Sequence, residues 1–171
     1  MNDRVGFSTG KGLISRIIRW FTKSTVSHAW LLYLDVDFGQ DMVLEATLEG
    51  VRIMPFEVFK KHNTIIKIAV PSKDLKSGLL QAGGVLGGSY DFTGLFGMLW
   101  VLFGHWLKRK WKNPWNNSQA MFCSEFVARV LMWSNYPGVE YWEPSEMTPQ
   151  DLYEFLVVRE SKEAALNAPI K

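Results

Sequence analysis

The chain has 171 residues and a formal net charge of +2, with 47% of residues hydrophobic and 21% charged. That balance belongs to one folded globular domain rather than a disordered chain, and so small a basic excess argues against a dedicated nucleic-acid partner. The single cysteine, Cys123, excludes an internal disulfide framework and any zinc site built on several cysteines.

The N-terminus, Met1 to Phe7, has no apolar run behind a basic start. No secretory signal is visible, and the simplest location is cytoplasmic. Arg4 to Phe7 reads as a short strand broken by a Ser8-Thr9-Gly10 turn. Leu13, Ile14, Ile17, Ile18 and Phe21 then form a helical stripe, with Arg16, Arg19 and Lys23 off it. A core-facing helix is the preferred reading and a membrane-surface helix the alternative.

Ser27 to Leu34 is almost continuously apolar and aromatic, the pattern of a buried strand, and His28 stands at its start. A lone histidine at a strand end is more often a hydrogen-bonded structural residue than a base. Met42 to Ala46 reads as the next strand, with Glu45 near its end. A carboxylate among apolar neighbours is costly to bury unless paired, although on a half-exposed strand it more often points outward. Residues Phe38 to Asp41 connect the two strands, so antiparallel pairing brings His28 and Glu45 within reach of each other. Glu49-Gly50 is the expected turn into a further strand over Val51 to Met54.

A short amphipathic piece closes at Asn63, and Thr64 to Val70 is the clearest strand pattern in the chain. Pro71 ends it. Ser72 is the expected N-cap of a helix through Leu75, Leu79, Leu80 and Val85, which runs out at Gly83-Gly84 or at Gly87-Gly88. Tyr90 follows in a loop, where an ordinary half-buried aromatic is the local expectation. Phe92 to Leu107 then carries almost no charge and leads into Lys108-Arg109-Lys110-Trp111-Lys112. It is shorter than the roughly twenty apolar residues of a membrane span and contains three glycines. A buried or covered helix is favoured; the alternative is a tryptophan-rich flap, Phe92 to Trp115, touching lipid, an acyl-bearing substrate or another protein.

Cys123 opens the next helix, whose Phe126, Val127, Val130 and Leu131 recur at helical spacing as far as about Trp133. A thiol in that first turn meets unpaired N–H groups and the positive end of the helix dipole, which favour the thiolate. A buried structural thiol is the alternative. Tyr136-Pro137-Gly138 is a turn, and Thr148-Pro149-Gln150-Asp151 a helix start with Thr148 as N-cap. Leu156-Val157-Val158 is the expected last strand. Residues 161–171 form a loose tail, and with no repeat or internal boundary residues 1–160 make a single domain.

Cysteine catalysis needs a thiolate, a histidine to relay its proton and a third group to orient the imidazole. Cys123, His28 and Glu45 supply those three types. The same residues fit a metal by ligand type, but the catalytic pattern accounts for them better, and no metal or other cofactor is expected.

Ser27-His28, Glu45-Ala46 ahead of Gly50-Val51, Gly88-Ser89-Tyr90-Asp91-Phe92, Phe122-Cys123-Ser124-Glu125-Phe126-Val127 and Thr148-Pro149-Gln150-Asp151-Leu152 follow one another in a telling order. In this order the chain resembles the circularly permuted papain-like cysteine hydrolases. They form the YiiX-like branch of the NlpC superfamily and are related to lecithin:retinol acyltransferase. In ordinary NlpC-type enzymes the cysteine precedes the histidine; here, as in the permuted branch, the histidine comes first. The resemblance covers residues 5 to 158 and implies an α+β fold, a small antiparallel, partly barrel-like sheet packed on helices. It also implies Cys123 as nucleophile, His28 as general base and acid, Glu45 as the orienting residue, and Tyr90 as a substrate or oxyanion contact. The implied reaction is acyl transfer through a thioester on a peptide, amide or lipid-like substrate. The aromatic segment at about 92–118 is longer than that pattern, and reads as an insertion beside the site.

Overall fold

The computed structural model describes residues 3–10, 15–16, 19–20, 24–35, 37, 39–47, 50–87 and 123–159. Five strands, β1 (Arg4–Gly10), β2 (His28–Asp35), β3 (Gln40–Thr47), β4 (Gly50–Pro55) and β5 (Asn63–Ala69), form one antiparallel sheet in the order β4-β3-β2-β1-β5. Helix α1 (Phe56–His62) connects β4 to β5, and α2 (Lys76–Ala82) follows the sheet. Helix α3 (Cys123–Trp133) and the short α4 (Pro149–Tyr153) complete an α+β fold.

The period-2 alternation of the strands gives the sheet two apolar faces. One carries Val5, Phe7, Ala29, Leu31, Leu44, Ala46 and Val51 against α2, α3 and α4; there Phe126, Val127, Val130 and Leu131 of α3 are fully buried, as their spacing predicts. The other face carries Trp30, Leu32 and Val43 under Phe59 of α1. Burial of each such side chain contributes about 1.5–3 kcal/mol. Trp30 lies flat across β1, where a Cβ on Gly6 would come within 2.2 Å of its ring. Its indole N–H donates to Ser8 Oγ at 3.2 Å. Only glycine leaves room for that ring.

Several expectations are corrected. Ser8, Thr9 and Gly10 continue β1 instead of turning, and a register shift at Phe7/Ser8 against β5 absorbs the irregularity. Gly50 is not the turn but the first residue of β4, paired with Thr47, in a backbone conformation (φ 113°) that favours glycine. Ser72 caps no helix: its N–H and hydroxyl meet the Tyr136 hydroxyl, and α2 begins at Lys76, whose N–H donates to Asp74 Oδ1 at 2.6 Å. Leu156 to Val158 are not a strand but lie in a widened helical turn, Glu154–Arg159. Leu152 and Leu156, four apart, are both in the core, and Phe155 packs edge-on against Trp142. That helical spacing overrides the β-branched composition. Among the described residues the sheet is open, with β4 and β5 as its edges.

Other expectations hold. Strands β2 and β3 pair antiparallel, and Thr148 caps α4 in a reciprocal capping box with Asp151. The stripe residues Leu13, Ile14, Ile17, Ile18 and Phe21 lie outside the described residues; Ser15, Arg16, Arg19 and Trp20 beside them are helical. Tyr90, the segment at 92–118 and the tail lie outside the described residues. Among the described residues, no helix is long and apolar enough to cross a membrane.

Candidate active site

His28 is the first residue of β2, and the segment leading into it is fastened from three sides. Ser24 Oγ donates to the Gln150 side-chain carbonyl of α4 and receives the Val26 N–H at 2.9 Å. Ser27 N–H donates to Ser8 O at 3.1 Å, and the Ser27 and Ser15 hydroxyls lie 2.6 Å apart. Strand β2 therefore begins at a fixed point, with the imidazole only 17% exposed. Phe59 of α1 stacks on the ring at 6.2 Å between centroids.

Glu45, on β3, is 2% exposed. Its Oε2 lies 2.6 Å from His28 Nε2. Its Oε1 receives Arg52 Nε at 3.0 Å and lies 2.9 Å from Arg52 Nη2. Arg52 stands directly opposite Glu45 in the β3–β4 register. The outward-pointing alternative is therefore overturned, because the carboxylate is buried and both its oxygens are engaged.

Cys123 begins α3 and is partly exposed. Its thiol is coupled to the His28 side chain, and the backbone of Ala29 and Ser124 also acts on it, all favouring the thiolate. With Nε2 committed to Glu45, Nδ1 is the ring nitrogen left for the thiol. The burial of one face of α3 delivers the sulfur to the start of β2.

The electrostatics favour a charged pair. Burial pushes the Cys123 thiol up, but the His28 charge, its hydrogen bond and the two backbone donors outweigh burial and hold the thiol below its ordinary value. Burial likewise opposes the imidazolium, but the Cys123 thiolate and then Glu45 overcome it, and His28 is pushed up to about 10. Burial raises Glu45 less than His28 and Arg52 lower it, so it stays ionised. The shifts run together toward a charged pair, Cys123 downward and His28 upward, with the Glu45 carboxylate and Arg52 behind the imidazole.

Cys123, His28 and Glu45 are thus brought together from three elements, while Tyr90 lies outside the described residues. Arg52, Phe59 and the Ala29 N–H were not legible as site groups. Arg52 had a signal: a two-residue connection after Thr47 pairs residue 45 with residue 52, whereas a turn at Glu49-Gly50 would set Glu45 opposite Met54. Among the described residues, no group of three or more His, Cys, Asp or Glu is arranged to hold a metal ion. No protein-family model matches the chain, and no curated protein is significantly similar to it.

Proposed function

We propose that the protein is a cysteine-dependent hydrolase that cleaves a peptide-like amide bond through a thioester intermediate. We assign it to the circularly permuted papain-like class, the YiiX-like branch of the NlpC superfamily, as one catalytic domain over residues 1–160. The observation that carries this reading is the Cys123–His28–Glu45 chain, with its sulfur at a helix N-terminus and two backbone N–H groups on it.

The Cys123 thiolate attacks the carbonyl carbon, forming the C–S bond and placing negative charge on the carbonyl oxygen. Backbone N–H groups at the start of α3, unpaired within the helix, are suited to hold that oxyanion, with Tyr90 as the partner implied by the resemblance. The imidazolium gives its proton to the leaving nitrogen as the C–N bond breaks. Neutral His28 then takes a proton from water, the hydroxide adds to the thioester, and the thiolate departs. Glu45 holds the ring throughout and stabilises its charged form.

A lipid-directed acyl hydrolase or transferase is the second reading. It is favoured by an open apolar trough of about 240 Å³ between sheet and α2, lined by Tyr33, Leu44, Ile53, Leu79, Leu80 and Leu86. Phe92 to Trp115 is the segment we assign to lipid or partner contact in that case.

The test is the rate of Cys123 alkylation by iodoacetamide against pH, in wild type and His28→Ala. Wild type reacts well below the free-thiol pKa of about 8.5, and the substitution returns the thiol to ordinary behaviour. A screen of amides, esters and liposome-borne lipids then separates the two readings. A Cys123 that is inert, or indifferent to His28, overturns both and leaves a non-catalytic interaction protein on this fold.

A further inference from the structure

We propose that Arg52 is a positioning residue of the site, a fourth member that acts on the cysteine through Glu45 and His28. This inference rests on the hydrolase reading and goes beyond it. Its ground is the allocation of the carboxylate oxygens. Arg52 Nε at 3.0 Å and Nη2 at 2.9 Å both fall on Glu45 Oε1, and Oε2 faces His28 Nε2 at 2.6 Å. A carboxylate pinned at one oxygen by a planar fork cannot rotate to swap its oxygens, so the acceptor stays in line with the imidazole.

The second ground is charge. Glu45 is buried, and a buried carboxylate without a cation drifts toward its neutral form. A protonated Glu45 would no longer favour the imidazolium, and the thiolate's counter-ion would be weakened. Among the described residues, the charged or titratable groups the site brings to this relay are His28 from β2, Arg52 from β4 and, beyond the ring, Cys123 from α3. Helix α1 presents the neutral Phe59. Arg52 is therefore the permanent positive charge that keeps Glu45 ionised whichever way the His28 proton moves.

Two features separate this role from packing. The guanidinium is 43% exposed, so much of it remains in water when Glu45 is engaged. And its contacts to the relay are made on Glu45 Oε1, so its effect on the sulfur passes through the carboxylate.

The experiment compares wild type, Arg52→Gln and Arg52→Lys by iodoacetamide alkylation against pH, with thermal midpoints measured on the same samples. In Arg52→Gln the acid limb of the alkylation curve moves to higher pH by about one unit, a roughly tenfold loss of rate on that limb. In Arg52→Lys it moves less, because the ammonium restores the charge but not the fork. An unmoved limb in Arg52→Gln, whatever happens to the midpoint, makes Arg52 merely structural and overturns the proposal. If Arg52→Gln does not fold, Arg52→Lys decides by the same criterion. A wild type without a low-pH limb overturns the hydrolase reading, whereas a normal wild-type limb that ignores both substitutions overturns only the role of Arg52.

Discussion

A buried carboxylate is stable only while its hydrogen-bonding capacity is filled, and Glu45 fills it with one partner residue at each oxygen: His28 on Oε2, Arg52 on Oε1. Breaking a fully buried ion pair costs about 3–5 kcal/mol. Arg52 is 43% exposed and regains water, so Glu45→Ala should cost less, about 2 kcal/mol, read as a lower urea midpoint at unchanged slope. An unaltered midpoint would mean that the carboxylate contributes no net stability. The three candidate site residues were legible in the sequence because their types are chemically scarce: one cysteine, and a histidine and a glutamate among apolar neighbours. Arg52 was not, because an arginine on an edge strand looks like any solvated cation until the hairpin register is known.

At the scale of elements, α2 and α3 approach so closely that a single atom decides their separation. Gly78 N–H donates to Ser134 Oγ at 3.1 Å, and the same hydroxyl donates to Leu75 O at 3.3 Å. A Cβ on Gly78 would lie 2.2 Å from the Val130 carbonyl oxygen, which is backbone and cannot swing aside. Gly78→Ala gains about 1 kcal/mol of helix propensity but incurs overpacking of about 1–3 kcal/mol and strains both hydrogen bonds. The clash wins, and urea unfolding should show a net loss of about 1–2 kcal/mol. A stabilised variant would mean that the helices part freely. Sequence alone reads Gly78 as one more small residue in a helical pattern, since a contact between helices some fifty residues apart leaves no local trace. The Glu154–Arg159 turn failed for a related reason: Val157 and Val158 favour a strand locally, while the core contacts of Leu152 and Leu156 are made only in the folded chain.

Over the whole molecule, apolar and β-branched runs marked most of the strands, while the antiparallel sheet packed on helices was implied by the family resemblance. Whether that sheet stays open depends on edge geometry, which periodicity does not encode. The same three-element junction that holds the site also links it to global stability through proton binding. His28 is raised to about 10 in the folded protein, so its contribution is complete below the ordinary histidine value of 6.5 and is lost as pH rises through about 10. Cys123 and Glu45 are lowered, so their contributions are present above their ordinary values, 9.0 and 4.5, and are lost as pH falls through the folded ones. Between 6.5 and 9.0 the loss from His28 and the gain from Cys123 with rising pH run in opposite directions and offset each other. Stability measured by urea unfolding should therefore change little across that window and fall above it. Lysines and tyrosines also titrate there, so the informative comparison is with Cys123→Ala, which shares them. Removing the thiolate removes the leading cause that raises His28, and the alkaline loss in the variant should begin nearer 6.5, giving a downward slope where wild type changes little. Two curves parallel across the whole range would mean that no thiolate–imidazolium pair forms in the folded protein.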